Sequence, residues 1–167
     1  MPAPKSRPTS ALSIDAPMRR RLPPLLRRAW YSLNQAFRRR IAHLGITPDQ
    51  FTVMRTLLEG DPAGMSQREL TTAMSSDPNT VASILHRMEE ANLLVRTAHE
   101  ADRRVNRIQL RKTGRAKYEA ARAIAIALQT EVLALLPATQ REGFLRNLTT
   151  VAAACRDAAA RSAAREP

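Results

Sequence analysis

Residues 66–110, SQRELTTAMSSDPNTVASILHRMEEANLLVRTAHEADRRVNRIQL, decide the fold. Ser66 and Glu69 form a capping-box pattern, which opens a helix by satisfying its first free backbone amides. Asp77 and Pro78 give a second start signal, an N-cap carboxylate followed by a proline at the first helical position. The stretch therefore predicts two short helices joined by a tight turn.

Two short strands follow the second helix. Residues 93–96 and 105–110 alternate apolar and polar side chains, which is typical of half-exposed strands. Residues 97–104 between them are polar and charged, so the strands are expected to form a hairpin with a long tip. This order of elements is that of a winged helix-turn-helix, whose second helix enters the major groove of DNA.

The second helix is expected to run from Pro78 to about residue 91, and its periodicity separates two faces. Val81, Ile84, Leu85 and Met88 recur at helical spacing and form the inward face. Any amphipathic helix has a polar outer face, but so short a pair of capped helices has few structural uses other than binding in a groove of DNA. The candidate contacts with bases and phosphates here are Ser76, Asn79, Thr80, Ser83 and Arg87.

A long amphipathic helix precedes this unit, and Gly45 supplies its left-handed stop. Its apolar face is longer than the core of a small domain needs and suits pairing with a partner chain. Thr47 and Gln50 then open another helix with a capping box. The face of the first helix consists of Leu26, Trp30, Leu33, Phe37, Ile41 and Leu44.

Two more helices are expected after the hairpin. The first follows Gly114 and ends at Pro137. The second is expected to turn Phe144, Leu148, Val151 and Cys155 inward, so Cys155 is interpreted as a small buried hydrophobe rather than as an oxidant sensor.

The chain has 167 residues and a formal net charge of +12, which favours a polyanionic partner. Residues 96–117 contain eight Lys and Arg against two Asp and Glu, whereas residues 46–95 contain three against seven. Residues 1–45 add ten against one. Within them, the proline-rich residues 1–24 are expected to form a mobile basic tail, either simply solvated or acting as a DNA-binding arm.

Several function classes are excluded by what the sequence lacks. One cysteine cannot build a disulfide framework or a cysteine-based zinc site within one chain. His43, His86 and His99 fall on separate elements, so no metal site is predicted. No phosphate-binding loop, serine elbow or Cys/His pair occurs, and we expect neither an enzyme nor a cofactor. Without a signal-peptide core or a long apolar run, we expect a cytoplasmic protein with no membrane partner.

Three segments together resemble the MarR family of bacterial transcription regulators. They are LHRMEEANLLVR at residues 85–96, DRR at residues 102–104 and LRKTG at residues 110–114. The similarity covers residues 26–161. It implies a homodimer in which the first and last helices intertwine and each side presents a winged helix-turn-helix. Twofold symmetry then favours pseudo-palindromic DNA with half-sites about 10 bp apart.

The resemblance also assigns roles in the wing. Asp102 is implied to orient the wing arginines, and Arg104 to enter the minor groove. Arg103 and Arg107 are further candidates for DNA contacts. Two positions depart from the family pattern. Asn92 stands where a helix-ending glycine is usual, and Arg111 replaces the usual threonine, which removes the expected hydroxyl cap of the next helix unless Thr113 supplies one.

Many members of the family bind small aromatic or phenolic anions between the dimerisation helices and the DNA-binding lobe, and release DNA when occupied. The resemblance therefore implies a small aromatic effector for this chain. The candidate residues for the effector pocket, by position, are Trp30, Tyr31, Phe37, Arg39 and His43. Each of these residues can also be interpreted as an ordinary helix or core residue.

The sequence thus predicts a mainly α protein with a small β-hairpin wing, a winged helix-turn-helix flanked by N- and C-terminal dimerisation helices. We expect a repressor that binds double-stranded DNA as a homodimer. The alternative is a basic helical protein that binds RNA or anionic membrane without sequence specificity. The expected organisation is a tail at 1–24, a dimerisation helix at 25–45, a DNA-binding lobe at 46–112, dimerisation helices at 113–160 and a tail at 161–167.

Overall fold

The computed structural model describes residues 21–98 and 106–163. Within these ranges the chain is mainly helical with one β-hairpin, so the predicted fold class is confirmed. A turn of 3-10 helix at Ala42–Leu44 follows the first helix and leads into Gly45, whose φ of +65° confirms the predicted left-handed stop. The elements are α1 (Leu22–Ile41), α2 (Pro48–Glu59), α3 (Gln67–Met74), α4 (Pro78–Glu90), β1 (Leu94–Ala98), β2 (Asn106–Leu110), α5 (Lys112–Leu133) and α6 (Ala138–Ala163).

The helix starts of the central unit form as the sequence predicts. The Thr47 hydroxyl accepts a hydrogen bond from the Gln50 amide, and the Gln50 side chain accepts one from the Thr47 amide. Ser66 and Glu69 make the same reciprocal pair at the start of α3. Caps of this kind each stabilise a helix by about 1 kcal/mol. They fix where α2 and α3 begin.

The core joins the helix-turn-helix to the flanking helices. The four predicted inward residues of α4 are all buried, and Leu70 of α3 packs against them. An aromatic cluster continues toward the flanking helices: the rings of Phe37 and Phe51 meet edge to face at 5.0 Å, and Phe51 stacks on Tyr118 at 5.3 Å. These contacts connect α1, α2 and α5, so the lobe and the flanking helices share one core.

The hairpin is extended by a third segment that the sequence did not reveal. β1 and β2 pair antiparallel with Leu94 opposite Leu110 and Ala98 opposite Asn106. On the other side of β2, Met65 and Ile108 exchange two backbone hydrogen bonds of 3.2 and 2.8 Å. β2 is therefore hydrogen-bonded on both sides.

Several predicted boundaries are corrected. α1 begins at Leu22 rather than at residue 25, because the two prolines after Leu22 lie in its first turn, where a helix tolerates them. β1 begins at Leu94 and extends to Ala98, which the sequence had placed in the hairpin tip. α5 begins at Lys112, so Gly114 lies inside it.

The start of α5 shows what the two departures from the family pattern do. Asn92 takes a left-handed conformation with φ of +57°, which Asn tolerates. Arg111 provides no side-chain cap, and the Thr113 hydroxyl donates instead to the Asn92 carbonyl. A Cβ at Gly114 would collide with the Leu93 carbonyl oxygen, so this helix start packs closely on the segment after α4.

The expectation that α6 turns its apolar residues inward is wrong for the single chain. Phe144, Leu148 and Cys155 are exposed, and Val151 is half-buried. The physical reason is that α6 leaves α5 at a bend of 112° and packs little against the rest of the described chain. None of the described helices could by itself span a membrane, although α5 and α6 as a bent pair have a suitable length and composition.

Candidate nucleic-acid interface

The turn between α3 and α4 fixes the angle between the two helices. Ser75 takes a left-handed conformation with φ of +49°, and its amide together with that of Ser76 closes the end of α3 on Thr71 and Thr72. Asp77 then caps α4, since its carboxylate accepts hydrogen bonds from the amides of Asn79 and Thr80. The predicted N-cap role of Asp77 is confirmed.

The outer face of α4 carries the predicted polar side chains. Asn79, Thr80, Ser83 and Arg87 are all exposed, and Ser76 is half-buried in the preceding turn. The Arg87 guanidinium lies along the helix, where its Nε donates to the Ser83 carbonyl at 3.2 Å. Hydroxyl, amide and guanidinium groups on one exposed face can donate to and accept from base edges and phosphates.

Two further residues share this face. His86 and Glu90 lie one helical turn apart, with Nε2 3.5 Å from the Glu90 carboxylate, and both are exposed. The helical spacing that identifies Ser83 also identifies His86 and Glu90, but from the sequence His86 was considered only as a metal ligand. No group of three or more metal-ligating side chains occurs in the described part of the chain.

The tip of the wing lies outside the described residues. This applies to Asp102, Arg103 and Arg104, on which the family resemblance places the minor-groove contact. The two β-strands below the tip, β1 and β2, are described. Arg107 on β2 points toward α3. Its Nη1 donates to the Gly64 carbonyl at 3.0 Å and to the Glu69 carboxylate at 3.1 Å. Sequence reasoning could not detect this partner, because Glu69 lies far away along the chain.

Other cations near the wing also have partners within the chain. Arg96 of β1 pairs with Glu89 of α4 at 3.1 Å. Arg111 donates to the Leu94 carbonyl at 3.2 Å, and Lys117 donates to the Leu44 carbonyl at 2.6 Å. Among the described cations of residues 96–117, Arg96, Arg107, Arg111 and Lys117 thus have internal partners, but only Arg96 and Arg107 are paired with a carboxylate. Because Glu89 and Glu69 offset these two charges, the positive charge near the wing is smaller than the count within residues 96–117 suggests.

The five candidate effector-pocket residues are not brought together. Phe37 is buried in the aromatic cluster, whereas Trp30 is 64% exposed and Tyr31 57%. Arg39 and His43 are also exposed. None of the five lines either of two shallow cavities of roughly 200 Å³ that the described chain contains.

The two cavities lie on different sides of α2. One, of about 200 Å³, lies between α2 and α5 and is lined by Arg55, Tyr118 and Arg122 among others. The other, of about 190 Å³, lies between the end of α2, β2 and the start of α5, and Asp61, Gln109 and Arg115 contribute to it. Sequence reasoning missed both, because their walls come from separate helices and strands.

Large apolar side chains remain uncovered on the flanking helices. They occur on the N-terminal half of α1, on the outer side of α5 and along α6. Arg40 of α1 and Glu131 of α5 form an ion pair at 2.7 Å beside this surface. The residues with the largest apolar exposure, here called the uncovered apolar surface, are Leu22, Leu25, Trp30, Tyr31, Leu33, Ile126, Val132, Leu135, Phe144 and Leu148.

Comparisons with known proteins agree with this geometry. Residues 46–105 match the model of the MarR family. An HTH-type transcriptional repressor of Mycobacterium tuberculosis is 32% identical over 108 residues, which cover 65% of this chain and 76% of that protein. The transcriptional regulator HosA of Escherichia coli is 31% identical over 127 residues, which cover 73% of this chain and 93% of HosA.

Solved structures show the same arrangement of elements. CouR from Rhodococcus jostii RHA1 bound to p-coumaroyl-CoA has a TM-score of 0.68 and 25% identity, covering 77% of this chain and 89% of CouR. The transcriptional repressor CouR bound to a 23-mer DNA duplex has a TM-score of 0.70 and 28% identity over the same shares. The MepR–DNA complex of S. aureus, at 22% identity and a TM-score of 0.72, covers 78% of this chain and 95% of MepR and supports the fold alone.

Proposed function

The chain belongs to the MarR family of transcription regulators, and on that premise we propose that it represses transcription as a homodimer bound to a pseudo-palindromic operator. The observation that carries this proposal is the exposed polar face of α4, held at a fixed angle by the capped turn after α3. A rigid, capped helix that presents hydroxyl, amide and guanidinium groups is suited to the major groove.

The face of α4 supports a division of labour between its residues. Ser83, in the middle of α4, and Arg87, in its last turn, are proposed to contact base edges, with Arg87 suited to guanine. Asn79 and Thr80, in the first turn, are proposed to bind phosphate through their side chains, because the backbone amides there already donate to the Asp77 carboxylate. Ser76 in the turn is a further phosphate contact. From the resemblance, Arg104 enters the minor groove, Arg103 contacts phosphate and Asp102 orients both.

The homodimer is supported by the uncovered apolar surface. Monomeric proteins rarely expose apolar patches of this extent, and α6 has little to pack against in its own chain. A second copy of the chain would cover α1, α5 and α6 at once. We therefore propose that α1, α5 and α6, which contain most of the predicted dimerisation segments 25–45 and 113–160, form the dimer and that residues 46–112 form the DNA-binding lobe.

A small aromatic effector is proposed as the regulator of DNA binding. CouR, a structural relative at 25% identity, has been solved with p-coumaroyl-CoA bound. In this chain, Arg55 and Arg122 line the cavity between α2 and α5, next to the Tyr118 ring. The Glu59 carboxylate also lines it, so the two guanidinium groups leave an excess of one positive charge, which would suit an aromatic anion. We propose that this cavity receives the effector, rather than a pocket built from Trp30, Tyr31, Phe37, Arg39 and His43, none of which lines it. Titration with p-coumaroyl-CoA and with free p-coumarate, read by release of labelled duplex, tests the effector.

The relatives are named as transcription regulators, which agrees with the expectation that the chain is not an enzyme. The alternative, a basic protein that binds RNA or membrane without sequence specificity, is not favoured by this family membership. The proposal is tested by selecting duplexes from a random DNA pool with the wild-type protein and with Ser83→Ala and Arg87→Ala. We expect the wild type to recover a twofold-symmetric motif and the two variants to relax it at defined positions. Recovery of unrelated sequences by the wild type would refute the proposal.

A further inference from the structure

The second strand of the wing is attached along its length to the loop before α3. Gln109 donates to the Pro62 carbonyl at 3.4 Å, and Ile108 pairs with Met65 through two backbone hydrogen bonds. Gly64 has φ of +97°, and a Cβ there would approach the Ile108 carbonyl oxygen to 2.8 Å. Glycine is therefore required for the loop to lie this close to β2.

A charged contact closes the end of this attachment. Arg107 Nη1 lies 3.1 Å from Glu69 Oε2 and 3.0 Å from the Gly64 carbonyl oxygen. The same Glu69 oxygen accepts the hydrogen bond from the Ser66 amide at 2.6 Å. The Arg107 side chain is only 21% exposed, and that of Glu69 is 51% exposed. We call this set of contacts between Arg107, Glu69 and Gly64 the wing clamp.

The first strand of the wing has an equivalent attachment to the other helix of the pair. Arg96 of β1 is 3.1 Å from the carboxylate of Glu89, near the end of α4. Each strand thus contributes one arginine that pairs with an acidic residue of the helix-turn-helix. In a chain with a net charge of +12, arginines held by acidic partners at a DNA-binding surface are more useful for geometry than for charge.

We propose that the wing clamp sets the angle of the wing relative to α3 and α4, so that Arg107 is a positioning residue and not a DNA contact. This inference rests on the proposed function. β2 spans about 13 Å over four steps of ~3.3 Å, so a rotation of ~10° about its buried Leu110 end moves its Asn106 end, which adjoins the wing tip, by ~2 Å. A shift of that size is enough to break hydrogen bonds between the wing and DNA, which tolerate only a few tenths of an ångström.

The direction in which one substitution changes the DNA affinity distinguishes a positioning role from a charge effect. Glu69 adds a negative charge to a protein that is proposed to bind DNA, so its neutralisation should strengthen DNA binding if charge alone matters. The wing clamp predicts the opposite result, because without the carboxylate Arg107 loses its charged partner. Glu69→Gln is suitable for the test, since Gln also occupies this position in capping boxes and preserves the start of α3.

The experiment compares Glu69→Gln, Arg107→Gln and the double variant in the full-length protein. The probes are a duplex that the wild type selects from random DNA and a scrambled duplex, titrated by fluorescence anisotropy at two salt concentrations. Glu90→Gln is the matched control, because it removes a carboxylate from the exposed face of α4 without touching the wing clamp.

We expect Glu69→Gln and Arg107→Gln each to weaken binding to the selected duplex by about threefold to tenfold, the range for a partly exposed ion pair with hydrogen bonds. The double variant should lose no more affinity than either single variant. The salt slope, which is the slope of the logarithm of the binding constant against the logarithm of the salt concentration, should stay unchanged. Glu90→Gln should bind the same duplex more tightly. Tighter binding by Glu69→Gln, or a salt slope reduced by about 0.9 in Arg107→Gln, would overturn the inference, since one phosphate contact contributes that amount.

Amide hydrogen exchange of the free protein provides a readout that does not depend on DNA. Both variants should accelerate exchange at Met65 and Ile108, whose amides join β2 to the loop. Unchanged exchange in both variants would overturn the wing clamp even if DNA affinity fell. If the wild type binds the selected and the scrambled duplex equally well, the proposed function is refuted, and with it the role of Arg107 in DNA binding. The exchange result is independent of this outcome, because it decides whether Arg107 holds the strand in the free protein.

Discussion

Substitution of Asp77 tests whether the cap of α4 has the energetic role that its geometry indicates. The carboxylate accepts hydrogen bonds of 2.9 and 3.0 Å from the amides of Asn79 and Thr80. Asp77→Ala leaves both amides without this acceptor, which costs about 1 kcal/mol, and it also removes a negative charge from the positive end of the helix, which costs a further ~0.3–1 kcal/mol. The ratio of folded to unfolded protein should therefore fall by a factor of about 10–30.

Asp77→Asn separates the two contributions. Its side-chain oxygen still accepts the amide hydrogen bonds but carries no charge, so only the smaller loss of ~0.3–1 kcal/mol is expected. Urea unfolding followed by circular dichroism measures both variants, at one fixed protomer concentration because dimerisation would add to the apparent stability. An equal loss in Asp77→Asn and Asp77→Ala would refute the hydrogen-bond argument. No loss in either would refute the cap itself.

Three further predictions concern the core, the proposed dimer and the wing. Gly114→Ala should destabilise the protein by about 1–3 kcal/mol in urea unfolding, because the added Cβ meets the Leu93 backbone carbonyl, which cannot move aside as a side chain would; an unchanged midpoint would contradict the close packing. Phe144→Asp, on the uncovered apolar surface, should convert the dimer to a monomer in sedimentation while the exposed Thr149→Asp does not; equal masses for the two variants would count against a dimer built on α6. Arg104→Ala should weaken binding to the selected duplex and lower the salt slope by about 0.9 if this side chain neutralises one phosphate in the minor groove; an unchanged slope would remove it from the DNA contacts.

The parts of the fold that could be predicted are those set by near neighbours in the sequence. Capping pairs such as Ser66 with Glu69 act over three residues, and the inward face of α4 follows from one helical period. Gly45 was identified because a left-handed conformation restricts residue type, and Asn92 because the family resemblance places a helix-ending glycine at that position. These signals located α2, α3, α4 and the hairpin.

The missed features depend on contacts between residues far apart in the chain. Arg107 is a candidate DNA contact in the sequence because its charge is visible there, whereas its pairing with Glu69 is not. The pairing of Met65 with Ile108 has no local signature. For α6, periodicity identified Phe144 and Leu148 as one apolar face, but periodicity cannot say whether that face packs on its own chain or on another.

The central claim is that this regulator reads a specific DNA sequence as a dimer, and an affinity ratio tests it most directly. A duplex selected from random DNA and a scrambled duplex of equal length are titrated with the wild-type protein at two salt concentrations, with the mass of each complex measured in parallel. We predict two protomers on the selected duplex and an affinity at least ~1,000-fold higher than for the scrambled one. Equal affinities for both duplexes that fall together with added salt would contradict the claim and leave only a basic protein that binds polyanions.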